Sequence, residues 1–319
     1  MLARTANDLF WMARQVERAE NMARLLDVTY RMSLLPYEIK EPGEKWAEPW
    51  AAPLVTTGLA NAYLERYRVV SAENVMRFLV LDPENPSSIY SVLRAARENG
   101  RAQRGTYAIE MWESLNATWL EMRSLTFEAI QRRGMSEFFD WVKERSHLFR
   151  GVTLGTMLRD EGYSFIRLGT FFERADNTAR ILDVKYHTLL PSVQAVGGAV
   201  DYYQWSALLR SVSAFTAYRK VYSDLITPFR VAELLILRDD MPRSLHACMN
   251  DIYDILKSIS AERRLEPERL AGEIHAQIHY GQIAKIIEFG LHEWLMQFVE
   301  QLGRLNDEIN RHFLVPVYN

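Results

Sequence analysis

Cysteine occurs once in the 319 residues, at Cys248, so the chain can close no internal disulfide and build no thiolate metal cluster. Such usage fits a reducing compartment, and cytoplasm is the expectation. Glycine (15) and proline (11) are scarce for this length. That argues against a sheet protein full of turns and for an all-α chain rich in Arg, Glu, Leu and Ala. An excess of positive charge is also missing: the formal net charge is -3, so nothing global points to nucleic acid and any anion site is local. No apolar stretch approaches the roughly 20 residues that span a bilayer. At the N-terminus Asn7, Asp8, Arg14 and Glu17 break the apolar run from Leu9 to Ala13, so no signal peptide is expected. There is no Gly-rich phosphate loop, no Gly-x-Ser-x-Gly elbow and no Ser or Cys triad pattern. No cofactor is expected.

What the chain does contain is an internal repeat. Glu17 to Tyr30 aligns with Glu173 to Tyr186 at an offset of 156, with ten identities in fourteen positions. Leu34-Leu35-Pro36 then answers Leu189-Leu190-Pro191, one residue out of step. The offset recurs in Val75, Leu79, Leu81, Pro86 and Ser88 against Val231, Leu235, Leu237, Pro242 and Ser244. We read this as duplication of one helical module, residues 1–150 and 151–319, packed as one unit about a pseudo-twofold axis. About ten helices are expected. In the first copy they run from Thr5 to a break at Pro36, then over 57–81, 87–100, 106–132 and 136–147, with a Pro- and Trp-containing connector at 41–53. In the second they cover 156–190, 202–238, 242–263, 267–289 and 291–313.

On the first repeated helix Met12, Val16, Ala19, Ala23, Leu26 and Tyr30 line one face, and Trp11, Met22 and Leu25 form a second apolar flank. Between them lies a polar stripe of Glu17, Glu20, Asn21, Arg24 and Asp27, repeated as Glu173, Asp176, Asn177, Arg180 and Asp183. A helix apolar around most of its girth is central in its bundle, so the stripe faces protein. Charges there must pair, which makes a self-satisfied network and a functional site equal alternatives. The four carboxylates Glu17, Glu20, Glu173 and Asp176 resemble a di-metal set, but Arg24 and Arg180 share the stripe and no Glu-x-x-His accompanies them. No metal is expected there. His275 and His279 have the i,i+4 spacing of a zinc clamp but no evident third ligand, and are expected to face solvent.

Two further constellations stand out. Arg94, Arg97, Arg101 and Arg104 fall along one side of a helix, while the offset-matched positions are Asn250, Tyr253, Lys257 and Ser260. The asymmetry points to a ligand-directed role, since Arg forks bind carboxylate and phosphate in two-point fashion. Asp160 and Glu161, just before the second repeated helix, fit either first-turn acids or general acid/base groups.

Taken in order, Phe10-Trp11-Met12 through Gln15-Val16-Glu17-Arg18-Ala19-Glu20-Asn21, then Arg97-Glu98-Asn99 with Arg101 and Arg104, Gly155-Thr156-Met157 with Arg159-Asp160-Glu161-Gly162, Glu173-Arg174-Ala175 and Gly290-Leu291-His292-Glu293 resemble the bacterial Alpha-E domain family, predicted all-helical proteins with a Glu-Arg signature. The resemblance implies companions, circularly permuted ATP-grasp-like ligases and transglutaminase-like peptidases, in systems that make or modify peptides. On that expectation Arg18, Arg174, Arg97, Arg101, Arg104, Arg24 and Arg180, with Asn21, Asn177 and His292, hold an anionic substrate or partner. Glu17, Glu173, Asp160 and Glu161 orient the arginines or move protons. The alternative is a non-catalytic helical scaffold in which the Glu-Arg helices are glue.

Overall fold

The structure is a computed structural model that describes residues 1–34, 49–188 and 199–315. The Leu35-Pro36 and Leu189-Leu190-Pro191 matches and most of the expected connector lie outside these residues. Sixteen α-helices and no strand occur among the described residues. They are α1 (Ala3–Ser33), α2 (Ala52–Thr56), α3 (Ala60–Leu64), α4 (Ala72–Met76), α5 (Ile89–Ala102), α6 (Ile109–Met122), α7 (Phe127–Arg133), α8 (Met135–Thr156), α9 (Glu161–Thr188), α10 (Ala199–Ser211), α11 (Phe215–Tyr222), α12 (Pro228–Ile236), α13 (Leu245–Ser260), α14 (Glu266–His279), α15 (Ile283–Phe289) and α16 (Leu291–Ile309). No helix among the described residues is long and apolar enough to cross a membrane.

The count exceeds ten because several expected long helices are broken by caps. The expected helix at 57–81 is α3, a turn, and α4 restarting at Ser71, whose hydroxyl accepts from the Asn74 N–H at 3.2 Å. The expected helix at 106–132 breaks where the Thr126 hydroxyl accepts from the Ala129 N–H. The expected helix at 202–238 becomes α10, α11 and α12, the last capped by Thr227 and opened by Pro228 at its first position. Gly281 and Gln282 separate α14 from α15 without a side-chain cap. The boundary expected after residue 150 falls inside α8, so the two halves share a continuous helix there.

Some local arrangements recur along the chain. Ser88 caps α5 and its hydroxyl donates to the Asp82 carbonyl at 2.6 Å, while Ser244 caps α13 and donates to the Arg238 carbonyl. The Tyr63 hydroxyl donates to the Val69 carbonyl at 2.8 Å, and that of Tyr218 to Leu225 at 2.9 Å.

The core has two parts, and α1 belongs to both. Leu9, Phe10, Met12, Ala13 and Val16 pack with Phe165, Leu168 and Phe172 of α9 and with α13 to α16. Ala19, Met22, Ala23 and Leu26 pack with Leu54, Val75, Leu79, Val92 and Phe139 of the first half. Its mostly apolar girth is what allows one helix to serve two cores.

Candidate functional site

α9 packs along α1, and the two backbones come close at Gly169, where a Cβ would lie 2.3 Å from the Phe10 carbonyl oxygen. Such backbone contact needs the missing side chain. It brings the two Glu-Arg pairs together crosswise. Arg18 forks onto Glu173 (Nε–Oε1 2.5 Å, Nη2–Oε2 2.8 Å). Arg174 forks onto Glu17 (Nε–Oε1 3.0 Å, Nη2–Oε2 3.2 Å). Adjacent Glu and Arg on one helix point apart, so each reaches the opposite helix instead.

Around this crossover more arginines converge. Arg14, one turn before Arg18, donates Nε to Glu173 at 3.0 Å and Nη1 to Asn306 on α16 at 2.8 Å. It also lies over the Trp11 ring. Arg150 of α8 donates to Glu17 at 2.7 Å and Glu20 at 2.5 Å. Arg243, just before α13, bonds Glu20, lies 3.2 Å from Glu17 and donates to Asn21 Oδ1 at 3.3 Å. Arg24 donates to Glu20 at 2.8 Å, to the Ser213 hydroxyl at 2.7 Å, and lies 3.3 Å from His147 Nε2. Three carboxylates, Glu17, Glu20 and Glu173, are thus shared by six guanidinium groups, Arg14, Arg18, Arg24, Arg150, Arg174 and Arg243.

Burial favours the neutral acid, yet all three carboxyls sit below their ordinary range. For Glu17, burial is outweighed by Arg174, Arg243 and Arg150. Glu20 is likewise buried and held well down by Arg243, His147, Arg150 and Arg24, and Glu173 by Arg18 and Arg14. Burial, with Arg174 and Arg24 close by, brings the Arg243 guanidinium down to about 10. The fully buried Cys248 thiol is pushed up to about 12 by burial, so it stays a thiol.

The two polar stripes meet different fates. Glu17, Glu20, Asn21, Arg24 and Asp27 are all buried. In the other stripe Glu173 is buried, Asp176 and Asn177 are half-buried, and Arg180 is exposed and paired with Asp176 at 2.8 Å. His292 lies 2.5 Å from Asp183. Asn21 and Asn177 each keep an amide nitrogen without a hydrogen-bond partner among the described residues.

The remaining expected residues lie elsewhere. Asp160 Oδ1 accepts from the Tyr163 N–H at 3.0 Å at the start of α9, and Glu161 takes the Met1 amine. Both are exposed: Asp160 makes the contact of a helix-start acid and Glu161 an ion pair with Met1, and neither is joined to the crossover among the described residues. Arg97 donates to Asn116 at 3.2 Å and to Glu98, Arg101 donates to Glu98, and Arg97 and Arg104 flank Trp112. Among the described residues no hydrogen bond or ion pair joins this stripe to the crossover. Repulsion within it is offset by Glu98, which sits between the arginines it pairs. The sequence reading missed Arg14, Arg150 and Arg243. Only Arg14, at i-4 from Arg18, carried a local signal; Arg150 arrives from α8 and Arg243 from the turn before α13.

A cavity of about 10 Å³ lies beside α1, between α5, α6 and α8, lined by Val16, Ala19, Ser114, Thr118, Arg145 and Ser146. It has room for one water and not for a substrate. Ser114 Oγ and Arg145 Nε there lack partners among the described residues.

The fold and this crossover define an all-helical protein whose two longest helices are clasped by exchanged Glu-Arg pairs. The chain belongs to the Alpha-E family, described as a predicted alpha-helical domain with a conserved ER motif, whose model matches residues 1–314. It is similar to an uncharacterized protein of Mycobacterium bovis, at 24% identity over 323 residues covering 93% of this chain and 35% of the relative. Uncharacterized proteins of two Mycobacterium tuberculosis strains match at 24% and 23% identity with the same coverage. The chain therefore spans about a third of the length of these relatives. No solved structure matches it.

Proposed function

We propose that the chain is a non-catalytic, anion-receiving component of a peptide-synthesis or peptide-modification system, working beside a circularly permuted ATP-grasp-like ligase and a transglutaminase-like peptidase. The observation that carries this reading is the six-to-three ratio of guanidinium to carboxylate in the ion pairs around the crossover. Carboxylates held ionised by several arginines have no proton to give and little tendency to take one, which speaks against acid-base work by Glu17 or Glu173. The surplus positive charge speaks for a carboxylate or phosphate brought by a partner. Arg18 and Arg150, the most exposed of the six at 29% and 22%, are the groups that would receive it. The matched relatives, in which this region is 35% of a longer chain, fit a component better than a free-standing enzyme.

The two halves are, on this reading, copies of one module. Its support is the offset of 156 between Ser88 and Ser244 and between their acceptors Asp82 and Arg238, together with the exchanged Glu-Arg pairs.

Co-expression with and without the ligase-like partner tests the function. ATP-dependent product should require the partner, survive Glu173→Gln once folding is confirmed, and fall in Arg18→Gln with Arg150→Gln. Product made by this chain alone and abolished in a folded Glu173→Gln variant would establish catalysis here instead.

A further inference from the structure

We propose that His246, His275 and His279 form a binding site for a divalent transition cation of the zinc class, with the fourth position left to water. The site is separate from the Glu-Arg crossover and does not depend on the function proposed above. α13 and α14 are joined by a short turn and run antiparallel, so the first turn of α13 lies beside the last turns of α14. His246 comes from the former, His275 and His279 from the latter. One nitrogen from each ring lies within 4.8 Å of the other two.

The hydrogen bonds fix which nitrogens are available. The Leu237 carbonyl can only accept, so His246 Nδ1, 2.7 Å away, carries the proton and Nε2 presents its lone pair to the cluster. His275 Nε2 donates to Asn250 Oδ1 at 2.7 Å, which leaves Nδ1 as its free lone pair. A backbone carbonyl and a side-chain amide behind two imidazoles are the outer partners that orient histidine ligands. His279 Nδ1 stands 3.3 Å from His246 Nε2. Ligand nitrogens at about 2.0–2.1 Å from a tetrahedral ion are roughly 3.3–3.4 Å apart, so this pair already has the required spacing. Without an ion the same contact is a hydrogen bond from His279 Nδ1–H, and on cation binding His279 takes the tautomer protonated at Nε2, so that Nδ1 presents its lone pair to the ion. His275 completes the set, its ring stacked between those of Tyr253 and His279.

Burial, and then the His246 and His279 rings beside it, lower the His275 pKa, with Asp254 opposing. His246 is buried, His275 half-buried and His279 exposed, so the ion has an inner anchor and an open side. Imidazole-only sets suit zinc, copper, nickel and cobalt and not magnesium or calcium.

The test uses untagged, chelator-dialysed full chain titrated with zinc chloride by calorimetry, with cobalt(II) as a spectroscopic probe. The expected result is one zinc per chain, tetrahedral cobalt bands, and a zinc-dependent rise in melting temperature. His275→Ala and His279→Ala, both on the accessible side, should each weaken binding at least tenfold, and Asn250→Ala by about 10- to 100-fold through its outer role. His246→Ala should abolish it if the variant folds; the other three variants decide the matter if it does not. No saturable zinc binding, binding only by magnesium or calcium, or wild-type affinity in either His275→Ala or His279→Ala overturns the proposal.

Discussion

Glu17 accepts from Arg174 and Arg150 while fully buried, and Glu173 accepts from Arg14 and Arg18. Their folded carboxyl pKa values lie below the ordinary 4.5, as does that of Glu20. A depressed carboxylate contributes stability that is present above the unfolded value and lost as pH falls through the folded one. The melting temperature should therefore change little from pH 7 to 5 and drop steeply below about 4.5. Glu173→Gln should be less stable at pH 7 and show a shallower acid limb; an acid limb identical to wild type would mean Glu173 is not part of the acid response. The Arg stripe of α5 behaves differently. Arg101 is well exposed and shares Glu98, so Arg101→Gln should leave the melting temperature unchanged. Arg97 is partly buried and tied to Asn116, so Arg97→Gln should cost about 1 kcal/mol in urea unfolding. At this scale the repeat made Glu17, Arg18, Glu173 and Arg174 legible in the sequence. Arg150 and Arg243 were not, because an isolated arginine on a distant segment carries no mark of which carboxylate it meets.

Helix α1 and helix α9 touch through backbone at Gly169, and this contact sets how near the Glu-Arg pairs come. Gly169→Ala should force the helices apart and cost about 1–3 kcal/mol by chemical denaturation. Gly303, inside α16, has open space where a Cβ would go, so Gly303→Ala should stabilise by about 0.5–1 kcal/mol. Equal effects of the two substitutions would contradict the close packing of α1 on α9. The long helices α1, α5, α9, α13 and α16 were readable from their apolar spacing. The breaks were not, because Ser71, Thr126 and Thr227 are ordinary polar residues inside helical patterns until the fold turns each into a cap. His246 shows the same limit: its neighbours His275 and His279 lie on the next helix, and only the antiparallel pairing of α13 and α14 brings the three rings together.

Over the whole molecule, α1 supplies apolar contacts to both cores and its carboxylates draw arginines from α8, α9 and the entry to α13. The all-helical fold class followed from composition, and the meeting of the two signature helices from their matching stripes. The unequal burial of those stripes did not, since it depends on Arg150, Arg243 and Ser213 closing over one while, among the described residues, none closes over Arg180. The central claim is that the Glu-Arg signature is an interhelical clasp. A double-mutant cycle on Arg18→Gln and Glu173→Gln, followed by urea unfolding at neutral pH, tests it most directly. The clasp predicts that Glu173→Gln alone costs about 2–4 kcal/mol, because the buried Arg14 and the partly buried Arg18 lose the carboxylate they share. It also predicts that the double variant is less destabilised than the sum of the singles, with a coupling of about 1–3 kcal/mol. Strict additivity, or single variants as stable as the wild type, would contradict it.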